Sequence, residues 1–283
     1  MEKVRVFEVG PRDGLQNEKH LVSVEDKVQL VDALSGCGFD KIEVSSFVSP
    51  KWVPQMATSA EVMEGIERRS GVTYAGLTPN MKGLERAIDA KCDEVAVFTA
   101  ASETFCQKNT NCSISESLER IKPLIVEAKA VGLPVRGYIS CVTHCPYEGV
   151  LNFQQTADLT EKLLALGVYE VSLGDTIGQA QPDHIDQLLA KVLKIADASK
   201  LAGHFHDTNK RALDNVKVSL GAGLRCFDSS IAGLGGCPFA PGAKGNLSTN
   251  ALDMALKNWG FDSGLDTNLL GNAEKLALQI VGR

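Results

Sequence analysis

Short apolar or β-branched runs alternate with longer helix-period segments along most of this sequence, and that alternation limits the folds open to it. The strand-like runs are VRVFEVG (4–10), KIEVSSF (41–47), TYAGLT (73–78), EVAVFTA (94–100), VRGYIS (135–140), EVSLGD (170–175), LAGHFHD (201–207) and CFDSSIAG (226–233). Between them lie segments such as SVEDKVQLVDALSGCG and NFQQTADLTEKLLALG, whose apolar positions recur at helical spacing and which stop at glycine. Repeated β–α units demand parallel strands, and eight of them predict a closed (β/α)8 TIM barrel. Such a barrel needs about 250 residues, and the chain has 283. A doubly wound open sheet is the alternative. The expected organisation is one catalytic domain over residues 1–283, with the barrel at about 4–247 and additional C-terminal helices at about 248–283.

Composition narrows the function. A net charge of −6 argues against a nucleic-acid binder, which would carry a basic face. No stretch approaches the roughly 20 apolar residues that span a bilayer, and the mean hydropathy of −0.03 is ordinary for a soluble protein. The N-terminus passes almost at once into a strand-like run, so no signal or transit peptide is expected. Eight cysteines are scattered without a CxxC, which fits reduced thiols in a cytoplasmic protein. The tightest cluster, CVTHC (Cys141, His144, Cys145), has no second ligand pair at zinc-finger spacing.

In a barrel of this kind chemistry belongs where strands end and loops to helices begin. The seventh run carries HFHD. Residues two apart on a strand face the same way, so His204 and His206 project together while Phe205 faces the helices. Two imidazoles on one lumen face form a nitrogen platform for a divalent metal, with a hydrogen-bonded core pair as the alternative. The first run leads into GPRDGLQNE, placing Arg12 and Asp13 at its mouth, and the sixth gives SLGDTIG, placing Asp175 at its mouth. A surface ion pair and an Asx cap are the simpler readings of these. Glu43 lies inside KIEVSSF, where alternation points Glu43 and Ser45 into the lumen. A buried carboxylate needs a partner, and Arg12 is the natural one. Two histidines and an aspartate with open positions suit Mg²⁺, Mn²⁺ or a similar ion.

Residues 232–246 read AGLGGCPFAPGAKGN, dense in glycine and proline, with Cys237 near the middle. GLGGCP places Pro238 where a dinucleotide fingerprint needs its third glycine, and GAKGN lacks the GK[ST] of a phosphate loop. The loop reads instead as a lid carrying a thiol, although a small buried cysteine would also fit.

Taken together, VGPRDGLQNE (9–18), EVSSFVSPKWVPQMA (43–57), SLGDTIG (172–178), GHFHDT (203–208) and SSIAGLGGCPFAPGAKGN (229–246) span nearly the whole chain. They resemble the hydroxymethylglutaryl-CoA lyase family, within the metal-dependent lyase and synthase superfamily built on TIM barrels. The synthases lack this cysteine and carry a long extra C-terminal domain, for which this chain stops too soon. The resemblance implies a divalent cation held by Asp13, His204, His206 and Asn246, and catalysis by Arg12, supported by Glu43, with Asp175, His204 and Cys237. It places Gln16, Asn109, Tyr138, Ser172 and Thr176 along the acyl pocket. The implied reaction splits an acyl-CoA substrate, HMG-CoA, into acetyl-CoA and acetoacetate, as in leucine degradation, and a homodimer is expected. In it Arg12 stabilises the thioester oxygen, and a group such as Asp175 with the histidines takes the hydroxyl proton. The Cys237 thiol is expected to protonate the enolate. A lyase for a longer-branched hydroxyglutaryl-CoA, or a metal-binding barrel without catalysis, would share the motifs.

Overall fold

The computed structural model describes residues 1–236 and 245–283. Eight parallel strands close into a barrel: β1 (Arg5–Glu8), β2 (Lys41–Ser46), β3 (Thr73–Leu77), β4 (Glu94–Ala100), β5 (Val135–Ser140), β6 (Glu170–Asp175), β7 (Leu201–Phe205) and β8 (Cys226–Ser229). They pair in chain order, and β8 returns to β1 with Cys226 opposite Arg5 and Ser229 opposite Glu8. That last pairing decides for the closed barrel over the open sheet. Helices follow the strands: α1 (Val24–Ser35), α2 (Ser59–Gly65), α3 (Met81–Asp89), α4 (Glu103–Thr110), α5 (Ile114–Ala130), α6 (Phe153–Leu166), α7 (Pro182–Val192), α8 (Ala212–Gly221), α9 (Thr249–Asn258) and α10 (Thr267–Ile280). Because α9 follows β8 as the ring's eighth helix, only α10 of the two tail helices stands outside the β–α alternation, and it packs against α1. Among the described residues no helix is long and apolar enough to cross a membrane.

The local chemistry explains the elements. Ser23 caps α1 by accepting the Asp26 amide, and Asn152 caps α6 by accepting that of Gln154. Gly167 ends α6 in the left-handed conformation that glycine adopts without steric cost. Outward strand residues such as Val6, Val97, Val171, Phe205 and Phe227 join the helices in a continuous apolar core, and the Phe205 ring lies 6.5 Å from that of Phe227. Phe205 therefore faces the helices, as alternation requires.

One expectation fails. The register of β2 against β3 shifts between Glu43 and Ser45, which breaks the alternation. Glu43 keeps its lumen position, but Ser45 turns outward, and its hydroxyl donates to the Ser59 carbonyl of α2 at 3.2 Å.

Behind the barrel wall a second buried carboxylate joins the loops that carry the site. Glu8 accepts the Gly10 amide at 2.7 Å, the Ile231 amide at 2.8 Å and the Thr249 hydroxyl at 2.6 Å. It therefore links the loop after β1, the loop after β8 and α9. Burial pushes its carboxyl from 4.5 up to about 7, against the pull of those three donors. A folded-state value above the unfolded one gives stability that is full below pH 4.5 and lost as pH rises through 7. Replacing Glu8→Gln should remove about 3 kcal/mol of that loss. Denaturant unfolding of both proteins across this range checks it, and parallel profiles would count against the assignment.

Candidate active site

The C-terminal mouth of the barrel gathers the polar residues that the strand ends supply. After β1 the chain makes a single wide helical turn, Gly10–Gly14, in which the Val9 carbonyl accepts the amides of Arg12, Asp13 and Gly14. A Cβ at Gly14 would lie 2.6 Å from Ser230 Oγ, so glycine lets this turn press against the loop after β8. The turn carries Arg12 inward. Its Nε donates to Glu43 Oε2 at 2.5 Å, and its Nη1 donates to Asp13 Oδ1. The guanidinium is buried, with its Cζ 5.5 Å from the centre of the Tyr138 ring. The Tyr138 hydroxyl donates to Glu43 Oε1 at 3.2 Å. Burial disfavours the guanidinium charge, but Glu43 and Asp13 outweigh it and hold Arg12 protonated.

Asp13, His204 and His206 form the one group of three His, Cys, Asp or Glu side chains among the described residues that is arranged to hold a metal ion, their ligand atoms all within 4.8 Å of one another. The two imidazoles come from the end of β7, with ring centres 5.4 Å apart. Asn246 arrives from 233 residues beyond Asp13 through backbone pairing: residues 245–247 run antiparallel to the end of β7, with Asn246 opposite His206. Its amide donates to Asp13 Oδ2 at 2.8 Å and to the Leu234 carbonyl at 3.2 Å. Two buried atoms here, Asn246 Oδ1 and His206 Nδ1, have no hydrogen-bond partner among the described residues. Unpartnered buried acceptors are costly, and a cation satisfies both. The charge state suits one. Although burial opposes it, Arg12 with the neighbouring histidines holds Asp13 down at about 2. Burial, with the proximity of His204, pushes His206 down to about 4, so it is neutral and free to ligate at pH 7.

The remaining candidates distribute unevenly. Asp175 is buried at the end of β6, where Oδ1 accepts the Gln179 amide at 3.2 Å and Oδ2 that of Ala180 at 3.0 Å. These bonds pin the loop ahead of α7, whose N-cap is Gln181, so Asp175 is not a helix cap, and burial raises its carboxyl to about 6 against them. Gly178 shapes the same loop: its φ is +63°, and a Cβ would lie 2.7 Å from the His206 carbonyl. Ser172 donates to Asp228 at 2.7 Å, and Thr176 Oγ1 accepts the Cys141 amide at 2.8 Å. Gln16 Oε1 is buried without a partner among the described residues. Asn109 is exposed on α4, and Cys237 lies outside the described residues. Leu77, Ala96, Phe98 and Tyr138 form an apolar cluster of their own. In CVTHC, Cys145 accepts the Ser102 hydroxyl and the His144 ring lies 4.8 Å from that of His184, tilted by 55°, so the cluster is occupied by ordinary contacts.

Sequence reasoning missed the group beneath the mouth. Asp228 on β8 lies 3.1 Å from His204 Nδ1 and is gripped by Arg136 of β5 through two bonds. The signal was present as charged residues at lumen positions of strands, Arg136 in VRGYIS, Glu170 in EVSLGD and Asp228 in CFDSS.

Fold and site together define a (β/α)8 barrel with a cation-ready carboxylate–imidazole cluster beside a buried arginine at its C-terminal mouth. The sequence matches the HMGL-like family over residues 3–277, and the chain belongs to that family. A Pseudomonas aeruginosa relative named 3-hydroxy-3-isohexenylglutaryl-CoA/hydroxy-methylglutaryl-CoA lyase is 51% identical over 282 residues, covering 100% of this chain and 94% of its own. The crystal structure of the HMG-CoA lyase from Brucella melitensis superposes with a TM-score of 0.98 at 54% identity, covering 100% of both chains. An HMG-CoA lyase from Acinetobacter baumannii, solved with coenzyme A and 3-methylmalate, gives a TM-score of 0.94 at 34% identity, covering 99% of this chain and 92% of the other.

Proposed function

We propose that this chain is a hydroxymethylglutaryl-CoA lyase that cleaves HMG-CoA to acetyl-CoA and acetoacetate by a retro-Claisen reaction. The observation that carries the reading is the Asp13–His204–His206 cluster set against Arg12, in a chain sharing half its residues with relatives named as HMG-CoA lyases. The substrate's tertiary hydroxyl must lose its proton, the bond between the carbinol carbon and the carbon next to the thioester must break, and the thioester enolate must gain a proton.

Asp13, His204, His206 and Asn246 would hold a divalent cation, and their oxygen and imidazole donors suit Mg²⁺ or Mn²⁺. When bound, the cation lowers the pKa of the substrate hydroxyl and fixes its orientation. Arg12 supplies a donor that stays charged as the thioester oxygen becomes anionic, and its pairing with Glu43 on the other side fixes the planar fork before substrate arrives. Asp175, poised at about 6, is ionised at neutral pH yet basic enough to take the hydroxyl proton, with His204 beside it. The Cys237 thiol is the proton donor to the enolate, an assignment that rests on sequence. Gln16, Tyr138, Ser172 and Thr176, with Asn109, complete the acyl pocket. We extend the proposal to a single catalytic unit working as a cytoplasmic homodimer in leucine degradation, on the strength of family resemblance.

The Pseudomonas relative's double name makes a longer-branched hydroxyglutaryl-CoA the second reading. Steady-state cleavage of a panel of acyl-CoAs separates the two, with the highest kcat/KM expected for HMG-CoA. With EDTA, cleavage should stop, and it should return on adding Mg²⁺ or Mn²⁺; turnover that survives chelation would refute the cation's role. Changing Arg12→Lys should lower kcat by more than about a hundredfold with little change in KM, because a point charge does not reproduce the fork. A raised KM with intact kcat would instead mark Arg12 as a binding residue. In Cys237→Ala, kcat should fall while the cation dependence stays the same, and near-wild-type kcat would remove the thiol from the reaction.

A further inference from the structure

A column of charge runs down the lumen beneath the candidate cation site, and none of the roles above uses it. Arg5 pairs with Glu170, Glu170 accepts Arg136 Nε at 2.8 Å, and Arg136 grips Asp228 through bonds of 2.7 and 3.0 Å. Asp228 Oδ2 also accepts the Ser172 hydroxyl at 2.7 Å and lies 3.1 Å from His204 Nδ1. Arg136, Glu170 and Asp228 are buried, while the Arg5 side chain is 33% exposed. Two guanidinium groups and two carboxylates cancel formally, but taking four charges out of water is costly, and apolar side chains could fill the same space. The column therefore calls for a reason beyond stability.

That reason lies at its upper end. Both Asp228 oxygens accept from the Arg136 guanidinium, and Oδ2 also accepts from Ser172, so the carboxylate has only acceptors to offer the ring beside it. The ring nitrogen facing it must then carry the hydrogen. In the neutral ring this leaves the lone pair on His204 Nε2, and Nε2 is the nitrogen that faces Asp13, 3.9 Å from Oδ2.

We infer that Asp228 is a positioning residue for the cation site: clamped by Arg136 and Ser172, it holds His204 as the Nδ1–H tautomer and aims Nε2 at the ion shared with Asp13 and His206. Carboxylates that hold a ligating imidazole in this way commonly govern metal affinity by ten- to a hundredfold. Glu170, one step further down the column, stabilises the same lumen without touching His204.

The inference rests on the cation site proposed above, so the test separates the two. Mn²⁺ titration of the metal-free protein, followed by electron paramagnetic resonance, should show one site that His206→Ala abolishes; binding that His206→Ala leaves intact would overturn the site itself. With the site present, Asp228→Asn should weaken Mn²⁺ by about ten- to a hundredfold, and Glu170→Gln should weaken it less. A loss below tenfold in Asp228→Asn, or an equal loss in the two variants, would overturn the positioning role. Should Asp228→Asn fail to fold, nitrogen NMR of the metal-free wild-type protein decides alone. His204, assigned by its absence in His204→Asn, should show a protonated Nδ1 and an unprotonated Nε2, and the reverse tautomer would overturn the inference.

Discussion

A buried guanidinium held between two carboxylates, Arg12 with Glu43 and Asp13, fixes the mouth of this barrel. None of the three charges could stand there alone, because an unpaired ion in so dry a place would be strongly destabilising. The requirement for pairing ties the turn after β1 to the bulged middle of β2 and turns one edge of Asp13 toward β7. Asp13 thereby serves two neighbours at once, neutralising Arg12 with one oxygen and facing the imidazoles with the other. The same neighbours keep it ionised at any pH where the protein would work.

The barrel supplies these groups with little local distortion beyond the loops. Closure of β8 onto β1 places the turn that carries Arg12 and Asp13 beside Ser230, and the chain's return at 245–247 adds Asn246 to the end of β7. Glu8, on the far side of the wall, holds the roots of the same two loops. Charge in the lumen is layered: Arg12, Glu43 and Asp13 at the mouth carry one negative charge in excess, while Arg136 and Arg5 balance Glu170 and Asp228 below it. The mouth also holds two buried atoms without a partner among the described residues, His206 Nδ1 and Asn246 Oδ1, and with the surplus negative charge they mark where a cation belongs.

The fold was readable because eight β-rich runs with glycine-stopped helices between them leave few other arrangements, and each run became a barrel strand. The site was readable where spacing alone decides direction, as for His204 and His206, two apart on β7. It was also readable where burial forces a partner, as for Glu43 with Arg12. Reading failed where the pairing lies between distant strands. Nothing near Asp228 in the sequence announces Arg136, 92 residues away, and a charged residue inside a strand run looks like a flaw in the pattern until the lumen is seen to be polar. Ser45 was misdirected because a register shift is a property of two strands and cannot be seen in one. Asp175 was only partly readable, since one carboxylate both pins the loop before α7 and is raised by burial.

The central claim is that the mouth of the barrel is built around one divalent cation held by Asp13, His204 and His206. Crystals grown with Mn²⁺ and measured at the manganese absorption edge test it most directly. A single strong anomalous peak within ligand distance of Asp13 Oδ2, an imidazole nitrogen of each histidine and Asn246 Oδ1 is the predicted result. An anomalous peak elsewhere, or none there at saturating Mn²⁺, would contradict it.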